Sequence, residues 1–158
     1  HIAQKSIENA ISIIDNLNDD ELEQVFEKYA LKQEILLAYL MTAPVEYENE
    51  KLEGLLVYYF CLICECFSQE GIALNEINEA QIENHLNPYV EMLDAFFEDE
   101  DEEIPESYID QPHLYQFLRM EVSTEDVDGT RFDDETANQL FIVTLSMVSL
   151  MNNAISEQ

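Results

Sequence analysis

The chain has 158 residues, with 35 Asp and Glu against six Lys and Arg, three His, and a formal net charge of −29. Six cations cannot build the basic face that phosphate binding needs, and an anionic membrane surface repels such a chain, so direct nucleic-acid and membrane binding are not expected. Apolar residues make up 47% of the sequence and recur at helical spacing, which disfavours intrinsic disorder.

Ile7, Ala10, Ile11, Ile14 and Leu17 mark one stripe of a first helix, with Ser6 as its N-cap. Asn18, followed three residues later by Glu21, reads as a capping box for a second helix. Asp19, Asp20 and Glu21 suit the positive end of its dipole. Leu22, Val25, Phe26 and Tyr29 continue its buried face. The pattern runs on through Ile35, Leu36, Tyr39 and Leu40, with a bend near Ala30, until Pro44 ends it. Residues 48–68 are apolar nearly all round and too long for an ordinary strand. Gly71 follows in the position of a C-terminal cap, so this segment is expected to be a buried central helix. Its uninterrupted apolar stretch, 55–64, falls short of the ~18 to 20 residues of a membrane span.

Asn75 caps the next expected helix, which carries Ile77, Ala80, Ile82 and Leu86 until Asn87-Pro88 interrupts it. Tyr89, Val90, Leu93, Phe96 and Phe97 then form a further helical face. Residues 98–103 are six consecutive acids, ended by Ile104-Pro105. Such a block repels itself, and a flexible acidic loop is expected over about 98–106. Asp110 caps a helix with Pro112 in its first turn, continued by Leu114, Phe117, Leu118 and Val122. A turn-rich piece centred on Asp128-Gly129 follows. Residues 134–155 then place Ala137, Leu140, Phe141, Thr144, Val148 and Met151 on one stripe, with Ile142, Leu145 and Met147 on other sides. The expectation is a single all-α domain over 1–158, a bundle of about six or seven helices around two apolar central ones.

Few motifs carry chemistry. Cys61, Cys64 and Cys66 sit mid-helix among large apolar residues, which is a core position rather than a zinc or redox site. An odd number of buried thiols, with no signal peptide visible, points to a cytoplasmic setting. His85 and His113 belong to no Glu-x-x-His pair, H-E-x-x-H motif or nucleophile motif, and three glycines cannot make a phosphate loop. No enzyme activity is expected. Residues 124–135 resemble a degenerate EF-hand loop, with Asp126, Asp128, Gly129, Thr130 and Glu135 at loop positions 3, 5, 6, 7 and 12. That resemblance implies Ca²⁺ held by Asp126, Asp128 and Glu135. Thr124 replaces the first carboxylate and Arg131 brings a cation to position 8, both departures from the pattern. Adjacent aromatics at Tyr58/Tyr59 and Phe96/Phe97 cannot all point inward on a helix, which makes either pair a candidate homodimer surface.

The charge is uneven: residues 1–69 carry −9 and residues 70–158 carry −20. A compact chain of this length is ~40 Å across, and ~40 Å of duplex DNA carries about 23 charges. Acids gathered on one face would therefore resemble a phosphate backbone. The expected function is a non-enzymatic acidic interaction protein that binds a basic protein, as a DNA mimic, nuclease inhibitor or immunity-type protein does. Asp94, Glu98, Asp99, Glu100, Asp101, Glu102, Glu103 and Glu106 are its expected recognition charges. A cation-binding helical module using residues 124–135 is the alternative, and a helical domain with a merely solvated acidic surface is another. With so few cations to pair them, the carboxylates repel one another whatever their role. The melting temperature should be higher in about 0.5 M than in about 20 mM NaCl. A flat or falling salt dependence would show that the carboxylates are paired.

Overall fold

A computed structural model describes residues 1–123 and 133–156. About 79% of these are helical, and no strand occurs among them. Eight helices and one single turn follow in order: α1 (Gln4–Asp15), α2 (Asp19–Lys32), α3 (Glu34–Leu40), the turn α4 (Ala43–Glu46), α5 (Lys51–Gln69), α6 (Glu79–Asp99), α7 (Glu103–Ile109), α8 (Pro112–Ser123) and α9 (Asp134–Asn153).

The segment that reads as apolar all round forms α5, which packs against α1, α2, α4 and α9. Leu56, Phe60, Cys61, Leu62, Ile63, Cys66 and Phe67 are almost wholly buried there. By length and composition α5 could cross a membrane, contrary to the sequence expectation, and 56% of that stretch is buried inside the fold. Its end is a Schellman motif. Gly71 adopts φ +70°, its N–H donates to the Ser68 carbonyl (2.9 Å), and the Ile72 N–H donates to the Phe67 carbonyl (3.0 Å). A side chain at Gly71 would be strained in that left-handed conformation. The second apolar helix, α9, packs against α3, α5, α6, α7 and α8. Asp133 caps it by accepting from the Thr136 N–H (2.7 Å). The same carboxylate accepts from Lys51 Nζ (3.1 Å), and the Thr136 bonds followed by Lys51 hold its pKa down to about 2.

Several boundaries differ from expectation for identifiable reasons. The Asn18–Glu21 capping box is present in both directions (2.8 and 3.1 Å). The break between α2 and α3 falls at Gln33, not near Ala30. Gln33 is 4% exposed; its Nε2 donates to the Asn75 carbonyl (2.9 Å) and its Oε1 accepts from the Ile77 N–H (3.0 Å). The side chain thus bolts the elbow to the α5–α6 connection. Pro44 ends no long helix but sits in the first turn of α4, where a missing N–H costs nothing. Ser6 lies inside α1. Glu70 accepts from both the Ala3 N–H and the Ser6 hydroxyl (2.7 Å each), so a distant carboxylate serves where the expected cap would stand. The Ala3 bond and then the Ser6 bond lower the Glu70 pKa. Asn78, with Gln81, caps α6; Asn75 instead donates its N–H to the Ala154 carbonyl (2.8 Å), in a bridge between the α5–α6 connection and the segment after α9. Asp110 is the left-handed C-cap of α7 rather than the cap of α8.

Neutral donors hold this acidic fold together. Tyr29 donates to Glu65 (2.5 Å), Tyr58 to Asp15 (2.7 Å), Tyr59 to Glu121 (3.1 Å) and Tyr115 to Glu102. Gln111, 2% exposed, accepts from the Ile2 N–H (2.8 Å) and donates to Asn152 (2.7 Å), tying the residues before α1 to α9. Between Lys or Arg and carboxylates, the described residues contain two ion pairs, Lys51–Asp133 and Arg119–Glu102. His85 is the most buried basic side chain among the described residues. It is 6% exposed, its Nε2 lies 2.9 Å from the Ser146 hydroxyl, and its ring stacks on Tyr89 at 4.8 Å. Its Nδ1 has no hydrogen-bond partner among the described residues, and burial lowers its pKa to about 4.

Two outcomes follow from these contacts. Tyr29→Phe should lower the unfolding free energy by about 1 to 3 kcal/mol in urea denaturation, because a charge-assisted hydrogen bond is lost at a buried site; an unchanged midpoint would show that the bond contributes nothing. His85 is neutral in the folded chain, whereas its unfolded pKa is near 6.5. The unfolded state therefore binds the extra proton as pH falls from about 6.5 towards 4, and stability is lost over that window. Relative to His85→Phe, the native chain should lose about 2 to 3 kcal/mol between about pH 7 and pH 4.5. Parallel pH profiles for the two proteins would mean that His85 is solvated.

Candidate functional site

The expected recognition charges fall on the C-terminal half of α6, the turn after it and α7. They do not form one loop: Asp94, Glu98 and Asp99 belong to α6, Glu100 is its left-handed C-cap (φ 53°), and Glu103 and Glu106 belong to α7. Two causes keep much of the acidic run helical. The apolar positions Tyr89, Met92, Leu93 and Phe96 bury the inner face of α6 as far as its last turn. At the other side of the turn, Asp101 accepts from the Glu103 N–H (3.0 Å), and Pro105 and Ile109 bury α7.

The eight acids divide into two groups. Glu102 is half-buried, accepts from Arg119 Nε and Nη2 (3.1 and 2.8 Å), and takes the Tyr115 hydroxyl on its other oxygen. Glu106 accepts from Gln116 (3.2 Å). With Asp101, these residues hold the turn together. Asp94, Glu98, Asp99, Glu100 and Glu103 are exposed and have no side-chain partner among the described residues. They are the members available to an external cation.

Sequence reasoning missed what accompanies them. Pro88 does not interrupt α6, which runs for 21 residues, about 30 Å. Along its outer side Leu86, Val90 and Phe97 are 37%, 50% and 52% exposed. At 100° per residue these three fall within about 40° of one another, flanked by Glu79, Glu83 and Asp94. The result is one mixed stripe of exposed apolar side chains and carboxylates. Carrying the helical period through Asn87-Pro88 would have revealed it.

The other candidates fare differently. Phe96 is buried beside the exposed Phe97, their rings 5.2 Å apart. Tyr59 is buried, and the part-buried Tyr58 donates to Asp15 at the surface (2.7 Å). Cys61, Cys64 and Cys66 are free and buried. Desolvation pushes the Cys61 thiol up to about 11 and the Cys66 thiol to about 12, far from reactive thiolates. Asp126 and Asp128 lie outside the described residues. Glu135 is exposed in the first turn of α9 and accepts from Gln139 (3.2 Å). No group of three or more His, Cys, Asp or Glu among the described residues is arranged to hold a metal ion.

The chain matches no protein-family model, no curated protein and no solved structure.

Proposed function

We propose that this is a non-enzymatic acidic interaction protein that binds a basic protein partner through the outer side of α6 and the turn into α7. The observation that carries this reading is that Asp94, Glu98, Asp99, Glu100 and Glu103, on α6 and the turn into α7, are exposed and without side-chain partners among the described residues, on the helix that also exposes Leu86, Val90 and Phe97. In this reading α5 and α9 are the two central helices of the scaffold, and its free, buried thiols suit a reducing cytoplasmic setting.

Charge density narrows the type of partner. The exposed acids of α6 are Glu79, Glu83, Glu91, Asp94, Glu98 and Asp99, spread over about 30 Å. Duplex DNA carries roughly 18 charges in that length, and a single strand roughly nine. The helix alone is therefore nearer a single strand than a duplex. A phosphate backbone also has no counterpart to Leu86, Val90 and Phe97. Apolar side chains ringed by charge are what a protein–protein contact uses, with carboxylates steering the approach and apolar groups supplying affinity. A homodimer through Phe97 would bring two chains of −29 together, which disfavours that occupant.

The test is retention of basic proteins on immobilised chain at low salt. Wild type should hold a basic protein that elutes between about 0.2 and 0.5 M salt, where screening lengths fall below ~8 Å. The triple variant Asp94→Lys, Glu98→Lys, Asp99→Lys should lose it; cations suit the last turn of a helix, where Glu98 and Asp99 lie, and Asp94 is exposed, so α6 should stay folded. Reversal of Glu8, Glu46 and Glu53, exposed on other helices, should leave retention nearly intact. Equal loss in both variants would reduce the effect to net charge, and no retention by wild type would overturn the reading.

A further inference from the structure

An apolar groove of about 560 Å³ lies in the elbow between α2 and α3. Phe26, Ala30, Leu31, Leu37 and Met41 line it, together with Glu27 and Glu34. Its shape is fixed from behind. Gln33 anchors the elbow to the α5–α6 connection, and Phe26 packs edge-on against Phe60 of α5 at 6.1 Å. Met41 gives one wall an adaptable side chain. Leu31 stands at the groove 73% exposed, an unusual place for a leucine with no partner.

Charge identifies the occupant. The groove's acidic lining groups, Glu27 and Glu34, are both exposed. At 100° per residue, Glu23 falls within about 20° of Ala30 on α2, whereas Lys28 and Lys32 fall about 160° away. Lys28 lies instead over the Tyr29 ring, 4.6 Å from its centroid. The described residues that line the groove therefore include two carboxylates and no cation. We propose that this elbow is the docking site for an amphipathic basic helix of a partner protein, with apolar residues seated along Phe26, Leu31 and Leu37 and cations on Glu27 and Glu34. An apolar strip edged by charge is the form that helix-in-groove recognition takes. Sites for small molecules place a few convergent polar groups inside an apolar pocket; here the acids stand at the exposed edge. A second copy of this chain brings like charge to like charge.

The proposal shares with the preceding reading only the premise that a cationic protein is attracted, and the helices that form the groove are different. Two synthetic peptides of Leu and Lys, identical in composition, separate the two ideas. One places Leu at i, i+3, i+4 and i+7, and the other distributes Leu evenly around the helix. In about 0.15 M NaCl the ordered peptide should bind at least about tenfold more tightly by fluorescence anisotropy, since only it can seat leucines in the groove. Leu31→Asp should weaken the ordered peptide by about tenfold or more and leave the scrambled one nearly unchanged. Leu31 is exposed, so the variant should keep the helical circular dichroism of the wild type. Phe97→Asp, on α6, should change neither affinity by more than about twofold. Equal affinity of the two peptides, or loss with Phe97→Asp instead of Leu31→Asp, overturns the groove while sparing the acidic reading. Absence of binding by either peptide in about 20 mM NaCl overturns both.

Discussion

The rest of the structure depends on one constraint: carboxylates outnumber cations almost six to one, so ion pairs alone cannot fasten the helices. The fold resolves this with donors that carry no charge. Four tyrosine hydroxyls reach carboxylates on other segments, and Gln33 and Gln111 satisfy backbone groups far away in sequence. Glu70 and Asp133 accept backbone N–H groups near the starts of α1 and α9. Apart from Glu102 and Asp133, which also meet Arg119 and Lys51, each arrangement gives a carboxylate or a buried amide its partner without drawing on the six cations. The exposed acids that remain are then a surface property, open to selection for binding.

Helix geometry sets the arrangement of the proposed binding surface. A 21-residue helix with a buried inner side has an outer side of similar length, and on α6 it carries both acids and exposed apolar side chains. The turn after it is stiffened from inside by Glu102, which Arg119 and Tyr115 clasp together. A turn braced in this way would keep neighbouring acids at fixed spacing and lower the ordering cost of the proposed binding. The elbow at Gln33 does the same for the groove between α2 and α3.

Much of this fold is legible in the residues. The all-α class, the Asn18 capping box, the cap at Gly71 and the burial of residues around Phe60 and Leu145 follow from periodicity and local chemistry. What escaped was decided over long distances. Ser6 looks like a cap, but Glu70 supplies the acceptor from the end of α5. Asn75 looks like a cap, but it pairs with Ala154. Gln33 looks like an ordinary polar residue, and its role appears only when Asn75 and Ile77 arrive beside it. Pro88 looks like a break by the local rule, but Tyr89, Met92 and Leu93 hold the helix together by burial. Continuity of α6 through Pro88 is what aligns Leu86 with Val90 and Phe97.

The tyrosine–carboxylate contacts carry one more implication. Burial first, and then the adjoining carboxylate, raise the phenols of Tyr29, Tyr58 and Tyr115 above their ordinary range. A lysine in their place would begin to shed its charge near pH 10 and release its acid. These phenols are held above that range, so the clasps that join helices in this protein should persist into alkaline media where lysine–carboxylate pairs dissolve.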